Sequence, residues 1–69
     1  MKTAEIAKLE AFFRKKFDLA TIEVRQRPRK DDSAELYIGE EFIGLLYRDD
    51  ADGETSYNFS MAILDIDLD

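Results

Sequence analysis

Apolar side chains recur at three- and four-residue spacing near the start of the chain, which is the spacing of one face of an α-helix. The residues concerned are Ile6, Leu9, Phe13 and Phe17. Thr3 precedes them as a residue type that caps helices, and basic residues follow near the end of the segment, where the helix dipole favours positive charge. The pattern therefore predicts an amphipathic helix over residues 3–17.

Further along the chain the apolar positions alternate with polar ones, which is the period of a β-strand. Four such segments are predicted, at residues 21–27, 34–38, 41–48 and 55–64. Gly39 and Glu40 fit a two-residue turn, and polar runs separate the other strands. Residues 65–69 alternate Asp with Ile and Leu and are expected to form an acidic tail. The sequence thus predicts a single α+β domain over residues 1–69, with one N-terminal amphipathic helix packed on a four-stranded antiparallel meander sheet.

The hairpin of the second and third strands is apolar on both faces. The turn sets Leu36 opposite Ile43 on one face, and it sets Tyr37 opposite Phe42 on the other. One helix covers only one face, so the second face is expected to offer an apolar patch to a partner protein or to a second copy of the chain. The residues of this predicted partner face are Tyr37, Phe42, Leu46, Tyr57 and Phe59. A one-residue shift of register would instead leave the second face polar with scattered aromatic residues.

Charge is unevenly divided along the 69 residues, whose net charge is −6. Residues 1–30 carry a net charge of +5, and residues 31–69 carry −11 with a single cation. The chain contains no cysteine and no histidine, which excludes disulfides and the usual zinc ligands. No apolar stretch approaches the roughly 18 residues of a membrane-spanning helix, and no signal-peptide core follows Met1. We therefore expect a small acidic protein of the cytoplasm, with no membrane contact and no cofactor.

Catalytic chemistry has little support in the sequence. Without histidine or cysteine the usual proton shuttle and thiolate nucleophile are missing, and the serines have no visible base. The acidic run that ends at Gly53 resembles a calcium loop only superficially, because it places Arg48 and Phe59 where the loop needs carboxylates. No catalytic residue and no metal ligand is assigned, and the chain is predicted not to be an enzyme.

A basic strand and loop form the second candidate site, which consists of Arg25, Arg27, Arg29 and Lys30. This patch could dock an anionic partner, although the acidic second half of the chain disfavours nucleic acid. Ordinary pairing of these cations with Glu23 and neighbouring acids is the alternative. The leading interpretation is a non-enzymatic protein-interaction module that self-associates through an apolar sheet face, as a homodimer, and anion or nucleic-acid binding is the runner-up.

Two long segments carry a family resemblance. They are RPRKDDSAELYIGEEFIG, residues 27–44, and SYNFSMAILDIDL, residues 56–68. With the helix before them, they resemble a bacterial family of short proteins catalogued as domain of unknown function 3126, which occurs in alphaproteobacteria. The resemblance implies a stand-alone cytosolic domain of about this length. It implies no activity, substrate, cofactor or site residue.

Overall fold

One helix and four strands make up the fold, in the order that the sequence predicts. The structure is a computed structural model and describes all residues, 1–69. The elements are α1 (Thr3–Lys16), β1 (Ile22–Gln26), β2 (Ser33–Ile38), β3 (Glu41–Asp49) and β4 (Ser56–Ser60). The strands form one antiparallel sheet in the order β1-β2-β3-β4, so the α+β meander is confirmed. Two short 3₁₀ helices lie outside the sheet, at Ala51–Gly53 and Asp65–Leu68.

The β2–β3 hairpin contains a β-bulge next to its turn. Tyr37 pairs with Phe42 as predicted, but Leu36 pairs with Gly44 rather than with Ile43. Ile43 is therefore an extra residue in β3, and it packs on the same side as the core. Because a bulge inserts one residue, every later side chain of β3 lies on the face opposite to the one that the predicted register gives it.

The end of β4 also differs from the prediction. β4 stops at Ser60, which pairs with Leu45, whereas the alternating pattern predicts a strand to residue 64. The bulge at Ile43 lies just beyond Leu45 and bends β3. Residues 61–64 therefore continue outside the ladder, although Met61 still lies beside Gly44 of β3.

The core lies between α1 and one face of the sheet. Leu9 and Phe13 of α1 are buried there. The sheet contributes Ile22, Val24, Ala34, Leu36 and Leu46. The helix begins as predicted at Thr3, but Lys2 occupies the cap position, and its N–H donates to the Glu5 carboxylate at 3.1 Å. An acid in the first turn thus accepts the backbone N–H of the residue that precedes the helix.

The helix lies over the β1 side of the sheet rather than over its centre. Arg14 Nε donates to the carbonyl of Ile22 at 2.7 Å, and Glu10 Oε2 accepts the N–H of Val24 at 3.0 Å. These side chains satisfy backbone groups of β1, which has a strand on only one side. The helix side of β3 and β4 is left partly uncovered. No helix of the chain is both long enough and apolar enough to cross a membrane.

Candidate interaction surface

The face of the sheet turned away from α1, here called the open face, holds two of the five predicted partner residues. The rings of Tyr37 and Phe42 meet edge to face with centroids 5.7 Å apart, and half of Phe42 is exposed. The guanidinium of Arg25 lies 3.9 Å from the centre of the Tyr37 ring. Arg25 also contacts the carboxylate of Glu23 at 2.8 Å. Leu45 and Tyr47 of β3 also lie on this face, and Tyr47 is 41% exposed. The open face is therefore a mixed surface of charged, aromatic and apolar side chains.

The other three predicted partner residues lie on the helix side, so their assignment to one face with Tyr37 is wrong. Leu46 is 1% exposed and belongs to the core. Phe59 pairs with Leu46 across β3 and β4, and its ring lies 6.0 Å from that of Phe13. Tyr57 reaches α1 through its hydroxyl. The cause is the bulge at Ile43, which reverses the facing of the rest of β3 and of the strand paired with it.

The basic residues of the second candidate site are not all free. Arg25 is paired with Glu23 and, at 3.8 Å, with Glu40, and Arg27 donates to the hydroxyl of Ser33 at 3.1 Å. Arg29 and Lys30 form no ion pair and lie in the loop before β2, where Arg29 has a left-handed φ of 65°. The structure thus supports ordinary pairing for Arg25. Anion binding at the loop stays a prediction.

Two carboxylates of the acidic turn between β3 and β4 accept hydrogen bonds within the chain. Asp49 accepts the N–H of Ala51 at 2.9 Å. Asp50 accepts from Arg48 at 3.1 Å and from the hydroxyl of Thr55 at 2.9 Å. These bonds stabilise a tight turn in which Asp52 adopts a left-handed φ of 61°.

A polar cluster that the sequence analysis does not predict joins α1 to the β3–β4 hairpin. Arg48 Nη1 donates to both carboxylate oxygens of Glu5, at 2.8 and 3.0 Å, and the Tyr57 hydroxyl donates to Oε2 at 2.7 Å. These donors, Tyr57 first, lower the pKa of Glu5 from 4.5 to about 2. The bond to Glu5 in turn raises the pKa of Tyr57. The signal that could have found this cluster is Arg48, the single cation among residues 31–69.

Beside this cluster, a groove of about 460 Å³ runs between α1 and β4. We call it the α1–β4 groove. Its lining consists of Lys2, Ala4, Glu5, Lys8, Leu9, Phe12, Phe13 and Tyr57. Phe12 widens the apolar stripe of α1, yet it is 56% exposed at this groove. An off-centre helix leaves this side chain without a strand beneath it.

A second, entirely apolar depression of about 200 Å³ lies toward the other end of α1. It is lined by residues that include Phe17, Leu19, Ile43, Phe59 and Met61. Phe59 lines this depression and Phe13 lines the α1–β4 groove, so the contact between their rings lies between the two hollows. The uncovered helix side of β3 and β4 therefore carries apolar surface along much of its length.

The comparison with protein families places the chain in one family. Residues 5–67 match the family described as protein of unknown function (DUF3126). The chain belongs to this family. No curated protein and no solved structure matches the chain. The resemblance predicted from residues 27–44 and 56–68 is thus confirmed.

In this DUF3126 protein, the residues after β4 form the most exposed apolar segment. We call residues 61–69 the C-terminal segment. Five large apolar side chains in it are exposed, Ile66 by 74%. The others are Met61, Ile63, Leu64 and Leu68. The predicted acidic tail forms a 3₁₀ turn at Asp65–Leu68, in which Asp67 accepts the N–H of Leu64 at 2.9 Å.

The DUF3126 chain is elongated. Its principal extents are 42 × 24 × 23 Å. The Cα radius of gyration is 12.8 Å, whereas a compact chain of this length has about 11 Å. The molecule thus presents two apolar surfaces, a groove beside α1 and a projecting segment.

Proposed function

We propose that this protein is a non-enzymatic interaction module of the cytoplasm that associates with itself through the α1–β4 groove and the C-terminal segment. The observation that carries this proposal is the exposure of apolar side chains on the helix side of β4 and beyond it. Phe12 and the five apolar residues of the C-terminal segment all face solvent in the single chain. Soluble monomers rarely expose large apolar patches unless these bind something, and here two such surfaces lie on one small chain.

The size of the core supports association. Ten of the 69 residues are buried, and only eight of these make up the apolar core. Small domains are marginally stable because they bury a small fraction of their surface. Each further Å² of apolar surface removed from water contributes about 25 cal/mol, so burial of the C-terminal segment would add substantially to a core of this size.

The open face is a weaker candidate than the sequence predicts. It carries Leu45 and Tyr47 besides Tyr37 and Phe42. However, Arg25 covers the Tyr37 ring and lies among the carboxylates of Glu23 and Glu40. Desolvating these charges would offset part of the gain from burying the two rings. Charged side chains also line the α1–β4 groove, so the preference for the groove and the C-terminal segment rests on their larger number of exposed apolar side chains.

The polar cluster of Glu5, Arg48 and Tyr57 supports a structural role rather than a catalytic one. Its three side chains satisfy one another, and the pKa of Glu5 lies far below neutral pH. A carboxylate in this condition stays ionised and is a poor proton donor. The cluster instead joins the start of α1 to β4 and shapes one end of the groove.

Light scattering across a concentration series tests the proposal. We expect the wild type to form a dimer and Phe12→Lys to weaken it by roughly tenfold or more, because the variant places a charge in the apolar contact. Phe42→Lys is the matched control, since Phe42 is about as exposed but lies on the open face. A wild type that remains monomeric at millimolar concentration would contradict self-association. Loss of the dimer only in Phe42→Lys would return the interface to the open face.

A further inference from the structure

The two edge strands of the sheet, β1 and β4, differ in how far side chains cover their free backbone groups. On β1, side chains of α1 bond the carbonyl of Ile22 and the N–H of Val24. No side chain bonds the backbone of β4, and its residues Ser56–Ser60 include neither a charge nor a proline. Charges, prolines and covering side chains are the usual protection of an edge strand, and an edge without them can pair with another strand. β4 therefore offers an open edge.

The sequence pattern of β4 continues beyond the ladder that holds it. Tyr57 and Phe59 are followed by Met61 and Ile63 at the same two-residue spacing. The bulge at Ile43 ends the pairing with β3 at Ser60. Residues 61–64 thus have the alternation of a strand but form no ladder pairs within the chain. A partner strand from outside would complete the pattern.

The distribution of charge indicates that the partner is a second copy of this chain. The C-terminal segment carries three aspartates, Asp65, Asp67 and Asp69, and none of them forms an ion pair within the chain. The rim of the α1–β4 groove and the adjoining turn of α1 carry four lysines that also form no ion pair. They are Lys2, Lys8, Lys15 and Lys16. An apolar segment with acids and an apolar groove with lysines are complementary.

Geometry favours the groove of a second copy over the groove of the same chain. α1 and β4 run in the same direction, since Glu5 contacts Tyr57 and Phe13 contacts Phe59. The C-terminal segment therefore leaves β4 at the end far from Tyr57 and would have to reverse to reach its own groove. When two such strands pair antiparallel near their ends, the segment that follows β4 in one copy lies along β4 of the other.

We propose that two copies pair through the free edges of β4 and exchange their C-terminal segments, each segment docking in the α1–β4 groove of the other copy. This inference rests on the proposed self-association and names its contacts. The two-fold axis of this pair lies at Ala62. It sets Asp67 of one copy opposite Tyr57 of the second copy, at the level of Lys8. It sets Asp65 opposite Phe59, near the turn of α1 that carries Lys15. Nine extended residues span about 30 Å, and the 14 residues of α1 span about 21 Å. The segment is therefore long enough to reach the lysines.

Charge exchange tests the contacts. One variant carries Lys8→Glu with Lys15→Glu, and a second carries Asp65→Lys with Asp67→Lys. We expect each alone to dimerise roughly tenfold more weakly or worse than the wild type, because like charges face each other at both docking sites. An equimolar mixture of the two should form a heterodimer of near wild-type affinity, measured by sedimentation velocity with one variant fluorescently labelled. Circular dichroism verifies that each variant is folded.

The control is Arg29→Glu with Lys30→Glu, which makes the same charge change outside the proposed contacts. It should dimerise like the wild type. The proposed exchange of C-terminal segments is wrong if the wild type dimerises and the two charge variants dimerise as strongly as the wild type. It is also wrong if the mixture of the two variants does not form a heterodimer. In both cases the proposed self-association stands. A wild type that is monomeric throughout overturns both.

Discussion

Glu5 accepts hydrogen bonds from three residues, and this carboxylate links the helix to the sheet. Lys2 bonds it from within α1, while Arg48 and Tyr57 bond it from β3 and β4. Because these donors favour the ionised form, the pKa of Glu5 falls to about 2 in the fold, against an ordinary value of 4.5. Its contribution to the free energy of unfolding is therefore fully present above about pH 4.5 and is lost as the pH falls toward 2.

Urea unfolding at pH 6 and at pH 2.5 measures this contribution. We expect the wild type to lose about 1–2 kcal/mol more between these two values than Glu5→Gln, which has no charge to protonate. Glu41→Gln is the control, because Glu41 is exposed and forms no ion pair, and it should follow the wild type. Equal pH dependence in wild type and Glu5→Gln would mean that the cluster does not stabilise the fold.

Gly44 is the residue at which the bulge allows the closest approach of β4. A Cβ on Gly44 would meet the carbonyl oxygen of Ser60 and, at 2.8 Å, the ring of Phe59. Replacing a glycine inside a strand by alanine ordinarily stabilises a protein by about 0.5–1 kcal/mol. A destabilising effect would therefore show that a Cβ at this position meets its neighbours. We expect Gly44→Ala to destabilise the protein by about 1–3 kcal/mol in thermal or urea unfolding, because rigid backbone must shift.

The matched control for Gly44→Ala is Gly39→Asn in the β2–β3 turn. Gly39 has a left-handed φ of 61°, and no atom lies within 4 Å of a Cβ built there. Asparagine tolerates this conformation, so this variant should cost little. A stabilising effect of Gly44→Ala would show that Phe59 and Ser60 do not lie against Gly44.

At the scale of elements, local pattern predicts most of the fold. The spacing of Leu9 and Phe13 predicts α1, and alternation predicts the four strands and the meander with boundaries correct to one or two residues, except at the end of β4. The Gly39-Glu40 turn and the Tyr37–Phe42 pair are also correct. These features depend on neighbours close in sequence, which is why periodicity and turn chemistry suffice to find them.

The bulge at Ile43 explains most of what the sequence pattern does not predict. The inserted residue cannot be recognised in the hydrophobic pattern of β3. It nevertheless places Leu46 in the core and Phe59 on the helix side of the sheet. It also ends the ladder of β4 at Ser60. The cluster of Glu5 and Tyr57 joins residues 52 positions apart, so no local pattern reveals it. The partner face was thus misplaced because of an error in strand register, and the polar cluster was missed because its contacts are long-range.

At the scale of the whole molecule, the proposed association would bring together opposite charges that lie apart in a single chain. The +5 of residues 1–30 includes the unpaired lysines of α1, and the −11 of residues 31–69 includes the aspartates of the C-terminal segment. Within one chain these charges lie on a helix and on a projecting end. In the proposed dimer they meet twice, once at each docking site. Folding and assembly should therefore be linked.

This linkage predicts that the melting temperature depends on protein concentration. For a dimer that dissociates as it unfolds, a hundredfold rise in concentration stabilises each protomer by about 1.4 kcal/mol, which in a domain of this size raises Tm by roughly 5–10 °C. Differential scanning fluorimetry between 1 and 100 µM measures the shift, which should shrink in 1 M NaCl because salt screens the contacts of Lys8 and Lys15 with the aspartates. The variant Asp65→Lys with Asp67→Lys should show a smaller shift at low salt. A Tm that does not change with concentration would mean that the eight-residue core stabilises the monomer on its own, and folding would then be independent of assembly.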